Sequence, residues 1–186
     1  MFDDKRGKKL ILVSHCILNQ NAKLDECAHY PGAILEVIQL LVGKGFGIIQ
    51  MPCPELIQLG LDRQTDKSAN PTVMSEDTRI AKLMHEKKAQ LLCDKIADDI
   101  IYQIEEYRKH NFEVVGLLGI NGSPTCGVET AWENDLEIAG YGVLIKILEA
   151  KLAQREIKLK MAGLKAYDIN SALRIVNEMI KMEEIS

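Results

Sequence analysis

Short apolar runs alternate along this chain with longer segments whose apolar residues recur every three or four positions. The apolar runs predict strands at residues 9–14, 46–51, 112–119 and 157–162. The helical spacing predicts helices at residues 33–44, 76–109, 141–154 and 167–182, with a short helical turn at 56–61. Because strands and helices alternate, we expect an α/β fold, in which a mostly parallel, Rossmann-like sheet carries helices on both faces.

Three connecting segments refine this prediction. Residues 62–75 form a polar loop longer than the usual ~4–6 residues, which favours a functional lid. Ser75 is expected to cap the long helix, and the charged patch at residues 86–88 is expected to divide that helix in two. Residues 130–135 are expected to form a short, mobile acidic linker.

Three of the predicted strands are followed by a cysteine. Cys16 follows the first strand, Cys53 the second and Cys126 the third. Ligands of an open parallel sheet gather beyond the carboxyl ends of its strands, near the point where the strand order reverses. We therefore expect the three thiols to meet at one edge of the sheet.

The composition is that of an ordinary soluble domain. The 186 residues are 47% hydrophobic and 27% charged, which fits one domain spanning residues 1–186. A net charge of −4 gives no indication of a nucleic-acid partner. The polar start at residues 3–9 lacks the apolar core of a signal peptide, and no apolar run reaches membrane-spanning length. We therefore expect a cytoplasmic protein without a membrane partner; the sequence leaves its oligomeric state open.

The cysteines are expected to serve metal binding or catalysis rather than disulfides. Five is an odd number, and a disulfide framework is uncommon inside cells. Cys93 lies within an apolar helical segment, so we expect it to pack in the core. Cys27 fits neither pattern and is left open as a spare ligand.

Three converging thiols allow two inorganic groups. They are suited to zinc with an open coordination position, or to an iron–sulfur cluster with one iron free of protein ligands. Such an iron can act as a Lewis acid on a substrate atom. The alternative is three unrelated buried thiols, since cysteine is often interior.

Three segments carry a family resemblance. They read Val13-Ser14-x-Cys16, then Pro52-Cys53-Pro54-Glu55 with Gly60-Leu61 and Arg63 soon after, and finally Ser123-Pro124-Thr125-Cys126-Gly127. In this order and at these separations, residues 10–127 resemble the family called domain of unknown function 523, which includes the thiouracil desulfidases.

The resemblance implies a cofactor and a reaction. It implies a four-iron, four-sulfur cluster held by Cys16, Cys53 and Cys126, whose fourth iron takes the sulfur of a thiocarbonyl. The small thiolated compound, a thiouracil-like base, is then desulfurated without net redox change. Glu55 and Ser123 match the residues that the family uses for catalysis or substrate orientation.

The chain also departs from the family pattern. The first cysteine is usually followed by Leu-Leu-Gly and a Cys-Arg-Tyr segment, where this chain has Ile17-Leu18-Asn19-Gln20-Asn21. The glycine-rich turn after Glu55 is also altered. These changes spare the ligands but alter the expected pocket, so desulfidase chemistry is better supported than thiouracil as the substrate.

Each candidate catalytic residue has a plainer alternative role. Glu55 is suited to moving a proton between water, substrate and departing sulfur, or to capping the turn that follows it. Ser123 is suited to hydrogen-bonding the substrate or a cluster sulfide, or to stabilising its own loop, and Thr125 resembles it as a substrate-binding candidate.

The remaining binding candidates are Asn19, Asn21 and Arg63. The two asparagines are suited to reading the polar edge of a heterocycle, although asparagine in loops commonly serves turn geometry. Arg63 faces either an anionic substrate group or solvent. His15 adjoins Cys16, but strand alternation favours packing over a role in the site.

Two other functions compete with the desulfidase. Cys126, in a loop rich in amides, is suited to act as the nucleophile of a hydrolase or transferase, although no histidine is obviously placed as its base. The third hypothesis is a non-enzymatic protein that binds a cluster or zinc and either senses redox state or delivers sulfide.

Overall fold

The computed structural model describes residues 5–181. Residues 3–4 of the polar start and the last residue of the predicted closing helix lie outside this range. In chain order, the elements are β1 (Lys9–Ser14), α1 (His15–Leu18), α2 (Leu35–Gly43), β2 (Gly47–Met51), α3 (Pro54–Leu59), α4 (Val73–Met84), α5 (Lys87–Lys109), β3 (Glu113–Ile120), β4 (Thr130–Glu133), β5 (Leu136–Ala139), α6 (Val143–Gln154), β6 (Lys160–Leu164) and α7 (Ile169–Lys181).

Four strands form one parallel sheet in the order β2-β1-β3-β6. The single-domain α/β prediction, with a mostly parallel, Rossmann-like sheet, is confirmed. Strand β3 is buried along nearly its whole length, as expected for a strand covered on both sides.

Strand alternation sends the side chains of β1 into two separate cores. Leu10 and Leu12 pack in the core that contains buried residues of α5 and α6. Ile11 and Val13 pack in the opposite core, which contains buried residues of α2 and α7. The sheet is therefore covered by helices on both faces, because each strand is apolar on both sides.

The strand order reverses between β1 and β3. From β1 the chain crosses to β2 at one edge, then returns to β3 on the other side of β1 and continues outward to β6. A crevice is expected beyond the carboxyl ends of two such neighbouring strands. Cys16 follows one of these strands and Cys126 the other.

The segment predicted to be a mobile acidic linker is instead part of a β-hairpin. Strands β4 and β5 pair antiparallel across a two-residue turn, Asn134-Asp135. Both turn residues have positive φ (50° and 65°), which suits a tight hairpin turn. The Trp132 indole N–H donates to Thr78 Oγ1 at 2.9 Å, so the hairpin is tied to α4.

The long predicted helix is divided as expected, but it begins earlier than predicted. Helix α4 ends at Met84 and α5 begins at Lys87. The cap of α4 is Thr72 rather than Ser75, because each of these hydroxyls accepts a hydrogen bond from the other residue's backbone N–H. Among the described residues, no helix combines the length and apolar composition needed to cross a membrane.

Candidate functional site

The three cysteines reach the same edge of the sheet from three different local structures. Cys16 lies on the short helix α1 directly after β1, and Cys53 is the N-cap residue of α3, two residues after β2. Cys126 lies in the loop after β3 and is 6% exposed. The prediction that these cysteines follow the carboxyl ends of strands is confirmed.

The loop that carries Cys126 folds back on its own strand. Ser123 Oγ accepts hydrogen bonds from the backbone N–H groups of Thr125 (3.2 Å) and Cys126 (3.0 Å). The Cys126 carbonyl accepts from Ile120 N at 2.9 Å. A Cβ at Gly119 would lie 2.4 Å from that carbonyl oxygen, so this position requires glycine. Ser123 therefore stabilises its own loop, which is the plainer of the two roles expected for it.

Burial raises the pKa of all three thiols. Burial raises the pKa of Cys16 to about 11 and that of Cys53 to about 12. Burial raises the pKa of Cys126 well above its usual value, and the charges of Cys53, Cys16 and Glu55 raise it further. All three thiols therefore favour the protonated form near pH 7.

The iron–sulfur cluster and the alternative zinc ion remain predictions. No group of three or more His, Cys, Asp or Glu side chains in residues 5–181 is placed to hold a metal ion as it stands. The arrangement of the thiols therefore decides neither for the four-iron, four-sulfur cluster nor for zinc.

Glu55 is held beside the thiols by two donors. Thr125 Oγ1 donates to one carboxylate oxygen at 2.6 Å, and Arg63 Nε donates to the other at 3.4 Å. The capping alternative for Glu55 is wrong, since Cys53 caps α3 by accepting from Leu56 N at 3.4 Å through its sulfur. The Glu55 side chain is 15% exposed, so it can still be reached.

A short chain of hydroxyl groups leads to Glu55. Thr125 donates its single hydroxyl proton to the carboxylate, so Ser123 is the donor in the 3.3 Å contact between Ser123 Oγ and Thr125 Oγ1. Thr125 Oγ1 also lies 3.7 Å from Cys126 Sγ. Ser123 and Thr125 thus orient the carboxylate of Glu55.

Arg63 is buried, with 2% of its surface exposed, so the alternative that it faces solvent is wrong. Its guanidinium donates to the carbonyls of Ala22 (2.7 Å), Gly60 (2.8 Å) and Leu61 (3.0 Å). One of its nitrogens lies 3.8 Å from Cys53 Sγ. Arg63 therefore joins the turn after α3 to the segment after α1 and places a fixed positive charge beside a thiol.

The start of the predicted lid is anchored. The Arg63 carbonyl accepts from Arg79 Nη2 at 2.8 Å, and Thr65 Oγ1 donates to Glu76 Oε2 at 2.6 Å. Lys67 forms an ion pair with Asp25 at 3.1 Å. The role of residues 62–75 as a lid stays a prediction. Movement of Arg63, Thr65 or Lys67 away from these partners would break the contacts described above.

The asparagines predicted to bind substrate lie in a turn directly after α1. Asn19 Oδ1 accepts from both the backbone N–H and the side-chain amide of Asn21, each at 3.1 Å. The two asparagines therefore stabilise the turn, which is the alternative role expected for them. The buried Gln20 between them was not predicted, and it donates to the Cys16 carbonyl at 2.6 Å. Its position between two turn-forming residues was the only signal in the sequence.

Asp77 is a further residue that the sequence did not reveal. It lies half-buried on α4, and burial together with the charge of Glu55 raises its pKa to about 6 despite the opposing charge of Lys23. The pKa of Cys27 is raised by burial and by the charge of Asp77. Cys93 is fully buried in the core, as predicted.

Two polar atoms next to Cys16 are buried without a hydrogen-bond partner among residues 5–181. They are Ser14 Oγ and His15 Nε2. The other ring nitrogen of His15 contacts Gln50 Nε2 at 2.8 Å. Burial, with the charge of Arg63, lowers the pKa of His15, so its ring is neutral near pH 7.

A groove of about 1230 Å³ lies at the opposite edge of the sheet. Its lining includes the first residues of β3 and β6, which marks it as the amino edge. None of the cysteines or predicted site residues lines it. The candidate site and this groove are therefore separate.

The fold and the site together define a single-domain, Rossmann-like α/β protein with a thiol-rich carboxyl edge. The chain is 39% identical over 123 residues to the uncharacterized protein MJ0003 of Methanocaldococcus jannaschii, an alignment that covers 66% of this chain and 70% of that protein. The chain belongs to the family of this archaeal protein. No protein-family model and no solved structure matches it, so the resemblance to domain of unknown function 523 stays a prediction.

Replacing Arg63 by lysine is expected to lower the free energy of unfolding by roughly 2–4 kcal/mol. Lysine has one nitrogen, which cannot reach three carbonyls and Glu55 together, so buried acceptors lose their partners. Urea denaturation measures the change. The control is Arg174→Lys on the exposed face of α7, where a change within about 0.5 kcal/mol is expected. Equal effects in both variants would contradict the anchoring role of Arg63.

Proposed function

We propose that this protein is a cytoplasmic, iron–sulfur-dependent enzyme that removes sulfur from a small thiolated compound, such as a thiouracil-like base. The observation that carries this proposal is that Cys16, Cys53 and Cys126 follow three strand ends at one edge of the sheet. Glu55 lies among them, because it accepts from Thr125 and Arg63, whose side chains contact Cys126 Sγ and Cys53 Sγ. The expected type of reaction, desulfuration of a thiocarbonyl, comes from the motif resemblance to domain of unknown function 523.

The donor set fits a four-iron, four-sulfur cluster. Cysteine thiolates are the usual ligands of such clusters, and Cys16, Cys53 and Cys126 would hold three of the irons. The unpartnered atoms at Ser14 and His15 lie next to one of these ligands and require a bound group or solvent. When bound, the cluster supplies an iron without a protein ligand, which acts as a Lewis acid toward sulfur.

Glu55 is the proposed proton carrier. The net reaction exchanges the sulfur of a thiocarbonyl for the oxygen of water and releases hydrogen sulfide, with no electron transferred. Protons must therefore move from water to the departing sulfur. A partly exposed carboxylate beside the thiols is suited to this transfer.

The neighbours of Glu55 hold it for this role. Thr125 and Arg63 each donate to one of its oxygens, which fixes the plane of the carboxylate. Ser123 positions both Thr125 and Cys126. The positive charge of Arg63 also offsets the negative charge that the thiolates bring together.

The substrate is proposed to enter between the segment after α1 and helix α4. Asn19 and Asn21 lie on the first of these elements, and Asp77 lies on the second. Their amides and carboxylate would meet the polar edge of a heterocycle, while Arg63 and Thr125 form the floor beside Glu55.

The cysteine-nucleophile alternative has less support. Cys126 is buried, and its pKa is raised by burial and by two neighbouring thiols, which disfavours a free thiolate. The histidine nearest in sequence to a site cysteine, His15, has one ring nitrogen engaged by Gln50. A redox-sensing role remains the second candidate, since it needs the same thiols.

An anaerobic preparation separates these functions. Iron and acid-labile sulfide are measured first, and hydrogen sulfide release is then followed with 2-thiouracil and a panel of other thiobases. We expect bound iron and sulfide release, and release from protein stripped with a chelator should fall to background. Iron without release from any thiobase would favour the sensing role, and protein without iron would reopen the nucleophile hypothesis.

A further inference from the structure

Ser14 and His15, the two residues that precede Cys16, each have a buried polar atom without a hydrogen-bond partner in residues 5–181. Ser14 is fully buried, and neither Ser14 Oγ nor His15 Nε2 finds a hydrogen-bond partner within residues 5–181. Native proteins leave few buried polar groups unpaired, and each such group has a cost unless something absent from the polypeptide satisfies it. Two together beside one candidate ligand point to a bound group.

The hydroxyl of Ser14 faces the candidate site. In β1, side chains alternate between the two faces, so Ser14 shares a face with Leu10 and Leu12. Those two residues pack in the same core as Cys126. Ser14 is the last residue of its strand, so its hydroxyl lies at the carboxyl edge, on the side of the sheet from which Cys126 approaches.

The protonation of His15 can be assigned from its single contact. Gln50 Nε2 lies 2.8 Å from His15 Nδ1, and an amide nitrogen can only donate. His15 Nδ1 is therefore the acceptor, and in the neutral ring the proton is on Nε2. The buried, unpartnered atom is thus an N–H donor, as the Ser14 hydroxyl also is.

We propose that Ser14 Oγ–H and His15 Nε2–H are hydrogen-bond donors to the sulfur atoms of the group that the three cysteines hold. This inference rests on the proposed function for the identity of that group, an iron–sulfur cluster. Donors aimed at cluster sulfurs stabilise the more negative, reduced state and so raise the reduction potential. Both residues are therefore positioning and tuning residues, not proton carriers in the reaction.

The first test uses protein from which all iron has been removed. Ser14→Ala deletes a hydroxyl that has no partner in this state, so the urea midpoint of the iron-free protein is expected to rise or stay unchanged. The matched control is Thr78→Val, since the Thr78 hydroxyl is also buried but accepts from the Trp132 indole. Its midpoint is expected to fall. A fall in Ser14→Ala as well would overturn the inference, because the hydroxyl would then have a partner within the iron-free protein.

The second test uses the cluster-loaded protein and measures the midpoint potential by redox titration. At the potential that half-reduces the parent, Ser14→Ala and His15→Leu are each expected to lower the ratio of reduced to oxidised cluster by about tenfold, equivalent to about 59 mV for one electron. Ser14→Thr keeps the hydroxyl and should keep the parent potential, as should Thr78→Val.

The outcomes separate this inference from the function on which it rests. A parent protein that binds no iron would overturn the proposed function and the inference together. A parent that binds the cluster and releases sulfide, with unchanged potentials in Ser14→Ala and His15→Leu, would overturn only the inference. Lower potentials in these two variants, with unchanged controls, would establish both donors.

Discussion

Changing Cys16, Cys53 or Cys126 to serine is expected to remove most of the iron from anaerobically reconstituted protein. Each thiol supplies one of the three protein ligands proposed for the cluster, and a serine hydroxyl at neutral pH replaces a thiolate poorly. Iron and labile sulfide per chain, measured after desalting, are expected to fall several-fold in each variant. The visible absorbance of the cluster should fall in parallel.

Two other cysteines serve as controls for this experiment. Cys93 is fully buried in the apolar core, so Cys93→Ala removes a thiol while leaving the site intact. Cys27 lies in the segment between α1 and α2 and does not follow a strand. Iron content should match the parent in Cys93→Ala and in Cys27→Ser. Loss of iron in Cys27→Ser alone would make Cys27 a ligand, and equal iron in all five variants would refute the ligand assignment.

The position of the three cysteines after strands of one parallel sheet was predictable, because it depends on the topology of that sheet. Apolar runs marked β1, β2 and β3, and a cysteine follows the end of each strand within six residues. Parallel strands place their carboxyl ends at one edge, so three cysteines far apart in sequence were expected to meet there. No side-chain detail was needed for this conclusion.

Side-chain partners across the site were less predictable, because they depend on how loops fold back. The sequence suggested solvent or an anionic substrate for Arg63, whereas its guanidinium is buried against carbonyls on two segments. Residues 130–135 are polar and acidic, so they suggested a linker. Positive φ angles at Asn134 and Asp135, and the bond from Trp132 to Thr78, make them part of a packed hairpin.

The reason for a glycine at position 127 was also not predictable from the sequence. At Gly127, a glycine in a polar loop predicts a backbone conformation with positive φ, which is closed to most other residues. Its φ is not among the positive values of the described residues. A Cβ at Gly127 would instead lie 2.1 Å from the Thr130 carbonyl oxygen, so the glycine is required by close approach of the chain. Composition identified the position correctly but not the reason.

Changing Glu55 to glutamine is expected to keep the iron and to lower the rate of sulfide release by roughly 10²–10⁴-fold. Glutamine has nearly the same shape but cannot carry a proton between water and sulfur, and a positioned acid–base group typically contributes this factor. Iron content and the initial rate of sulfide release from the most active thiobase measure the two effects separately.

The chain offers a matched control for this substitution, because a second glutamate has the same kind of partners. Glu76 accepts from Thr65 Oγ1 at 2.6 Å and from the Arg79 guanidinium, just as Glu55 accepts from Thr125 Oγ1 and Arg63. Glu55→Gln and Glu76→Gln each replace a carboxylate oxygen, which accepts a hydrogen bond, by an amide N–H₂, which faces the same donor and cannot accept. The two variants should therefore lose similar amounts of stability. Only Glu55→Gln should lose turnover. If both variants turn over as the parent does, Glu55 only holds the structure, and if both lose activity equally, the loss reflects stability rather than proton transfer.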